Sequence, residues 1–133
     1  MSNSETILSA NAHPGDSTIE TVTGDKFKGD GYYGRSDGLH TIQVNLAGFL
    51  GDVQLQGTLA VDPTADDWFT IRLGSGQTID TTGKIFNAIT SKLEYTTNET
   101  SSKTYNFTGN YVWIRAKISN WTDGTVNSIQ MNH

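Results

Sequence analysis

The stretch Asn110-Tyr-Val-Trp-Ile-Arg-Ala-Lys-Ile-Ser119 decides the fold, because its aliphatic residues recur at every second position. One side of this alternation holds Val112, Ile114, Ala116 and Ile118. The other side holds Tyr111, Trp113, Arg115 and Lys117. A period of two predicts a β-strand that buries its aliphatic face and turns a second, aromatic and cationic face away from the core.

The same alternation recurs along the chain, and no segment shows a helical period. It predicts strands at residues 18–23, 39–46, 52–60, 67–73, 84–89, 92–97, 103–108, 110–119 and 125–131. The predicted core consists of Ile42, Val44, Leu46, Val53, Leu55, Phe69, Ile71, Ile114 and Ile118. Many short strands favour an all-β fold, a single antiparallel β-sandwich of jelly-roll type with about eight or nine strands.

Glycine and aspartate punctuate these strands. Gly48, Gly51 and Asp123-Gly124 are expected to separate them, and residues 107–111 are expected to form a tight hairpin. Residues 62–67 predict a turn, or one helical turn, that introduces Trp68.

Residues 1–16 are small, polar and aperiodic, which indicates an extended N-terminal arm ahead of a β-sandwich domain at 17–133. Two interpretations of the arm stay open. It is a disordered tail, or it orders against a neighbouring subunit with Ile7 or Leu8 as an anchor.

The composition excludes several classes of binding partner. The formal net charge is −5, whereas nucleic-acid binders usually carry a basic stripe, so we expect no nucleic-acid partner. The chain has no cysteine and no apolar run long enough to span a membrane, so we expect no disulfide, no thiolate metal site and no membrane partner. The N-terminus has no secretory signal, which favours synthesis in the cytoplasm.

Catalytic and metal-binding motifs are sparse. His13, His40 and His133 have no nucleophile motif beside them, and His40 is expected to be a structural histidine. Asp62, Asp66 and Asp67 favour turn formation over calcium binding. We therefore expect no enzymatic activity, no catalytic or metal-ligating residue and no cofactor.

Aromatic residues in or beside loops are the stronger signal. The candidates on the folded domain are Tyr32, Tyr33, Tyr111, Trp113 and Trp121, which join Ile7 and Leu8 as candidate interface residues. Such residues stack on sugar rings or anchor protein interfaces, and Trp113 facing into the core is a third possibility.

An ordered series of short motifs carries a resemblance. It comprises residues 29–34 (GDGYYG), 37–44 (DGLHTIQV), 56–59 (QGTL), 66–69 (DDWF), 107–116 (FTGNYVWIRA) and 124–130 (GTVNSIQ). Over about residues 22–131 the chain resembles a virion structural module of contractile-tailed bacteriophages (myoviruses), especially the neck, baseplate and tail-fibre proteins of phages that infect cyanobacteria. The resemblance implies a non-enzymatic β-sandwich assembly subunit, and it supplies no binding residue.

The resulting expectation is an accessory subunit, present in several copies, that docks on other virion proteins of the tail, neck, baseplate, fibre or head surface. The alternative is a carbohydrate-binding adhesion module that contacts host glycans through Tyr32, Tyr33 and Trp113. Either expectation places the protein in the virion after synthesis in the host cytoplasm.

Overall fold

The computed structural model describes residues 4–34, 38–71, 75–79, 85–89 and 93–132, with the backbone alone at 75–79 and 85–89. Residues 35–37 of the glycine-rich loop and His133 lie outside the described residues.

The fold is all-β, as the alternation predicts, with 69% of residues in strands and 3% in helix. The strands are β1 (Ser4–Leu8), β2 (Asn11–Ala12), β3 (Glu20–Thr23), β4 (Phe27–Lys28), β5 (Leu39–Thr58), β6 (Phe69–Ile71), β7 (Ser75–Ile79), β8 (Ile85–Ile89), β9 (Leu93–Thr108) and β10 (Trp113–Asn132). A 3-10 turn at Ala65–Asp67 introduces Trp68, which confirms the turn predicted there. Asp67 closes it by accepting hydrogen bonds from the backbone and hydroxyl of Thr64, at 2.7 and 3.1 Å.

Two long strands, β5 and β10, form the centre of the main sheet and pair antiparallel from Thr58↔Trp113 to Thr41↔Asn132. Strands β1 to β4 follow one another along the outer side of β10, and β9 and β6 lie along the outer side of β5. All pairings among the described strands are antiparallel, including the separate hairpin of β7 and β8.

The sheet curls, so its two halves enclose one hydrophobic core. Eight of the nine predicted core residues are buried: Ile42, Val44, Leu46, Val53, Leu55, Ile71, Ile114 and Ile118. The prediction for Phe69 is wrong, since 44% of this residue is exposed. Phe69 pairs with Gly57 at the start of β6, and its ring centre lies 5.5 Å from that of Tyr111, so only part of its ring is covered.

Glycines bend the long strands and do not end them. The predicted breaks at Gly48, Gly51 and Gly124 fall inside β5 and β10, where all three glycines have positive φ. Register shifts between Ser119 and Thr125 mark the same corner. A positive φ turns the backbone sharply without interrupting the pairing on either side, which is how β5 and β10 each serve both halves of the sheet.

Trp121 lies inside this corner and is 2% exposed. Its neighbour Asn120 has φ of 48°, which breaks the alternation of β10 and turns the indole inward. The indole nitrogen donates to the carbonyl of Asp123 at 2.9 Å, and the ring packs 6.1 Å from that of Phe49. The expectation that Trp121 belongs to an interface is therefore wrong for the chain as described.

The hairpin predicted at residues 107–111 is also wrong. Strands β9 and β10 pair with opposite sides of β5, so residues 109–112 connect the two halves of the sheet. The connection is fixed at its start by a hydrogen bond from the Gly109 amide to the Gly38 carbonyl, at 3.0 Å.

The segment at residues 4–12 contributes β1 and β2 to the same sheet. β1 pairs with β10 from Ser4↔Asn132 to Leu8↔Ile129, and Ile7 and Leu8 are 2% and 7% exposed. A bulge between Thr6 and Leu8 lets two consecutive side chains turn inward, which a regular strand does not allow. Ile7 and Leu8 are thus core residues of this chain, and the expectation that they anchor an arm to a neighbour is wrong.

Candidate functional site

The outward side of the β10 alternation carries the candidate site. Ile114, Ala116 and Ile118 are buried, whereas Trp113 and Arg115 are half-buried on the opposite side, as predicted. β4 pairs Lys28 directly with Trp113 and so brings a second aromatic and cationic segment alongside. We call this the aromatic–cationic face; its members are Lys26, Lys28, Tyr32, Tyr33, Trp68, Trp113 and Arg115.

Rings and cations interleave on this face. The Tyr32 ring lies 5.1 Å from that of Trp113 and 5.6 Å from that of Tyr33. The ammonium of Lys26 sits 4.5 Å over Trp113, and that of Lys28 sits 4.6 Å over Tyr32. These contacts are attractive because the face of an aromatic ring is electron-rich. The side chains therefore form a connected surface.

Trp113 is also fixed by a hydrogen bond from its indole nitrogen. Its indole nitrogen donates to the Val61 carbonyl at 2.9 Å, which ties the loop after β5 to the face. The ring is thus fixed in orientation, with Lys26 above it and Tyr32 beside it.

Two glycines place the tyrosines. The amides of Gly29 and Gly31 donate to the carbonyls of Val112 and Tyr111, both at 3.0 Å. A Cβ on Gly31 would come 2.1 Å from the Asn110 carbonyl oxygen, so this close approach requires glycine. The loop is therefore clamped at its base while Tyr32 and Tyr33 project, 44% and 48% exposed.

Arg115 stacks on Trp68, with 4.2 Å between the guanidinium carbon and the ring centre. Its Nε donates to Oε1 of Gln56, the residue paired with it on β5, at 2.8 Å. Beside this pair lies an open cleft of about 340 Å³, whose walls include Lys26, Asp25, Thr64, Trp68 and Arg115. The 3-10 turn thus forms one wall of the cleft and β10 another.

Tyr111 does not join the aromatic–cationic face. It precedes β10 and packs partly buried against the core, with its ring 5.5 Å from Phe69 and 6.2 Å from Phe107. A Cβ on Gly109 would meet the ring at 2.5 Å, so Tyr111 fills the connection between the sheet halves.

His40 is a structural residue, in line with its prediction. It is fully buried and stacks on Phe107 with 4.8 Å between ring centres. One ring nitrogen lies 2.7 Å from the Gly38 carbonyl oxygen, and the other accepts the Asp30 amide at 3.2 Å. These contacts secure the base of the tyrosine loop.

Within the described ranges, no group of three or more His, Cys, Asp or Glu side chains could hold a metal ion. No helix in that part of the chain is long and apolar enough to cross a membrane.

The sequence identified part of this site. Tyr32, Tyr33 and Trp113 are candidate residues from the sequence, and the outward placement of Arg115 follows from the alternation of residues 111–118. Lys26, Lys28 and Trp68 were missed. The pattern Lys26-Phe27-Lys28 does alternate around an apolar residue, which was the available signal, but its pairing with Trp113 is a tertiary fact.

Comparisons with known protein families, with curated proteins and with solved structures find no match for this chain.

Proposed function

We propose that this protein is a non-enzymatic structural subunit of a bacteriophage particle and docks on other virion proteins through its aromatic–cationic face. The observation that carries the proposal is the concentration of exposed tyrosines, half-buried tryptophans and cations on one connected surface. Tyr, Trp and Arg are the residues most enriched at the energetic centres of protein interfaces. The resemblance of residues 22–131 to phage virion modules supplies the assembly context.

The arrangement of the rings favours a protein partner over a glycan. A sugar platform needs flat, open aromatic faces, but Lys26 lies over Trp113 and Arg115 lies over Trp68. Tyr32 and Tyr33 meet at an interplanar angle of 80° and so offer no coplanar surface. Glycan binding therefore remains the second candidate, limited to the exposed tyrosine loop.

Replacing Tyr32 and Tyr33 together by alanine should reduce incorporation into particles at least about tenfold, because exposed aromatic anchors dominate docking energy. The measurement is quantitative mass spectrometry of gradient-purified particles of the encoding phage, complemented with each variant. The melting temperature should change little, since both side chains lie outside the core.

Ile19→Ala is the matched control, because Ile19 is 68% exposed and directly precedes β3, outside the aromatic–cationic face. Normal incorporation of the double tyrosine variant would contradict docking through this surface. If such particles also lost adsorption to host cells, the glycan-binding role would replace the docking role. Absence of the wild-type chain from purified particles would overturn the virion assignment itself.

A further inference from the structure

In the cleft beside Trp68, the guanidinium of Arg115 is held in a fixed orientation with donors available to a ligand. The stack on Trp68 and the hydrogen bond from Nε to Gln56 fix the plane of the Arg115 side chain. These contacts leave the two terminal nitrogens as donors, and a guanidinium binds a carboxylate through two parallel hydrogen bonds. Partial burial lowers the pKa of Arg115, so a neighbouring anion would compensate a cation that already has reduced solvation.

Of the five cationic side chains that the structure describes, four belong to β10 or to the segment 26–28 beside it. Lys28, Arg115 and Lys117 lie on the outward side of β4 and β10, and Lys26 immediately precedes β4. Among the described side chains, no carboxylate forms an ion pair with any of these four cations. Lys103, on β9, is paired with Glu99 at 3.4 Å. In a chain of net charge −5, such a concentration of unpaired cations marks a surface complementary to an anion.

Asp25 limits the kind of anion. This carboxylate is also part of the cleft wall, so a dense polyanion would meet repulsion there. A single carboxylate flanked by hydrogen-bond donors fits better, because Asp25 can accept from a donor such as a backbone amide.

We propose that this cleft binds the carboxylate of an aspartate or glutamate side chain presented by a partner protein, with Arg115 as the bidentate donor and Lys26 as the second cation. The choice of a protein partner rests on the proposed docking function. It is favoured over an acidic polysaccharide because the faces of Trp68 and Trp113 are already occupied by cations. Exposed Leu59 and Val61, 65% and 68% accessible beside Trp113, add the apolar surroundings typical of protein interfaces.

The test is fluorescence anisotropy with a dye-labelled hexapeptide that carries one glutamate among glycines and serines, the same peptide with glutamine in place of the glutamate, and a labelled oligogalacturonate that is esterified at all but one carboxylate and so has equal charge. The glutamate peptide should bind, and the glutamine peptide should not. Arg115→Gln should weaken binding about tenfold or more, since it removes a charge-assisted bidentate contact. Arg115→Lys should also weaken binding, because an ammonium retains the charge but not the fork.

Lys103→Gln is the matched control, since it removes the same charge from β9, which is outside the aromatic–cationic face, and should change affinity less than about twofold. Lys26→Gln provides a second test that leaves the Arg115 stack intact, and melting temperatures verify folding of every variant. Equal losses in Arg115→Gln and Lys103→Gln, equal binding of the two peptides, or no glutamate binding at millimolar peptide would each overturn the proposal. Preference for the oligogalacturonate would overturn the choice of a protein ligand.

Particle incorporation separates this inference from the docking function. If Arg115→Gln enters particles normally while the double tyrosine variant does not, the face docks without a carboxylate in its cleft. In that case the proposed function stands and the present inference fails.

Discussion

Removal of residues 2–8 should destabilise the protein severely. The truncation deletes β1 and with it two side chains of the core, Ile7 and Leu8. Emptying a core site of this size costs about 2–5 kcal/mol, so the expected loss for the two sites is about 4–10 kcal/mol even before the lost pairing with β10 is considered. Domains of ordinary stability have only about 5–15 kcal/mol in total. The truncated chain should therefore melt at least about 15 °C lower, or fail to fold.

Thermal and urea unfolding measure the effect, and single substitutions supply the control. Ile7→Ala should cost about 2–5 kcal/mol, because the side chain is 2% exposed and its removal leaves a cavity. Ile19→Ala makes the same chemical change at a residue that is 68% exposed and should cost less than about 0.5 kcal/mol. A truncated protein with an unchanged melting temperature would show that β1 is not part of the folded core in solution.

The burial of Ile7 and Leu8 in β1 could not be predicted from the sequence. Ile7 and Leu8 are adjacent, and adjacent apolar residues have neither the period of a strand nor that of a helix. The bulge that turns both inward depends on the register with β10, which is more than a hundred residues away in the chain. By contrast, the alternation of β10 is local, and its buried and outward faces could be predicted correctly from residues 113–118.

Turn residues posed a different ambiguity. Gly48 and Gly124 carry the same local signal whether the chain reverses or bends, because both require a positive φ. The distinction depends on whether the residues that follow continue to pair with the same neighbour. In β5 and β10 the residues on both sides of these glycines pair with the same neighbouring strand. The positions where the sequence predicts loops are therefore corners within continuous strands.

The candidate site was predictable to a similar extent. The outward placement of Trp113 and Arg115 follows from a period of two. Their contact partners could not be inferred. Lys26, which contacts Trp113, lies just before β4, and Trp68, which contacts Arg115, directly follows the 3-10 turn, so both contacts depend on tertiary structure. Hydrophobic patterns indicate which side chains face the core, but the packing of outward side chains against one another depends on tertiary structure.

Gly124→Ala should be the most damaging substitution of a surface-corner residue. The corner leaves no room for a side chain, since a Cβ on Gly124 would lie 2.0 Å from the carbonyl oxygen of Gly48. The left-handed conformation, with φ of 84°, costs a non-glycine residue about 1–2 kcal/mol, and displacement of packed neighbours adds about 1–3 kcal/mol. The expected loss of unfolding free energy is therefore about 2–5 kcal/mol, measured by urea denaturation.

Gly48→Ala isolates the steric contribution. Gly48 belongs to the same corner and has φ of 63°, but its Cβ would meet nothing within 4 Å. Its substitution should cost only the conformational part, about 1–2 kcal/mol. The Gly48 backbone cannot move away easily from a Cβ on residue 124, because its carbonyl accepts from the side-chain amide of Asn98 at 2.8 Å and its N–H donates to the hydroxyl of Thr100 at 2.9 Å. Equal losses in the two variants would mean that β5 and β10 separate at this corner in solution, whereas a markedly larger loss at Gly124 requires the two bent strands to cross in contact there.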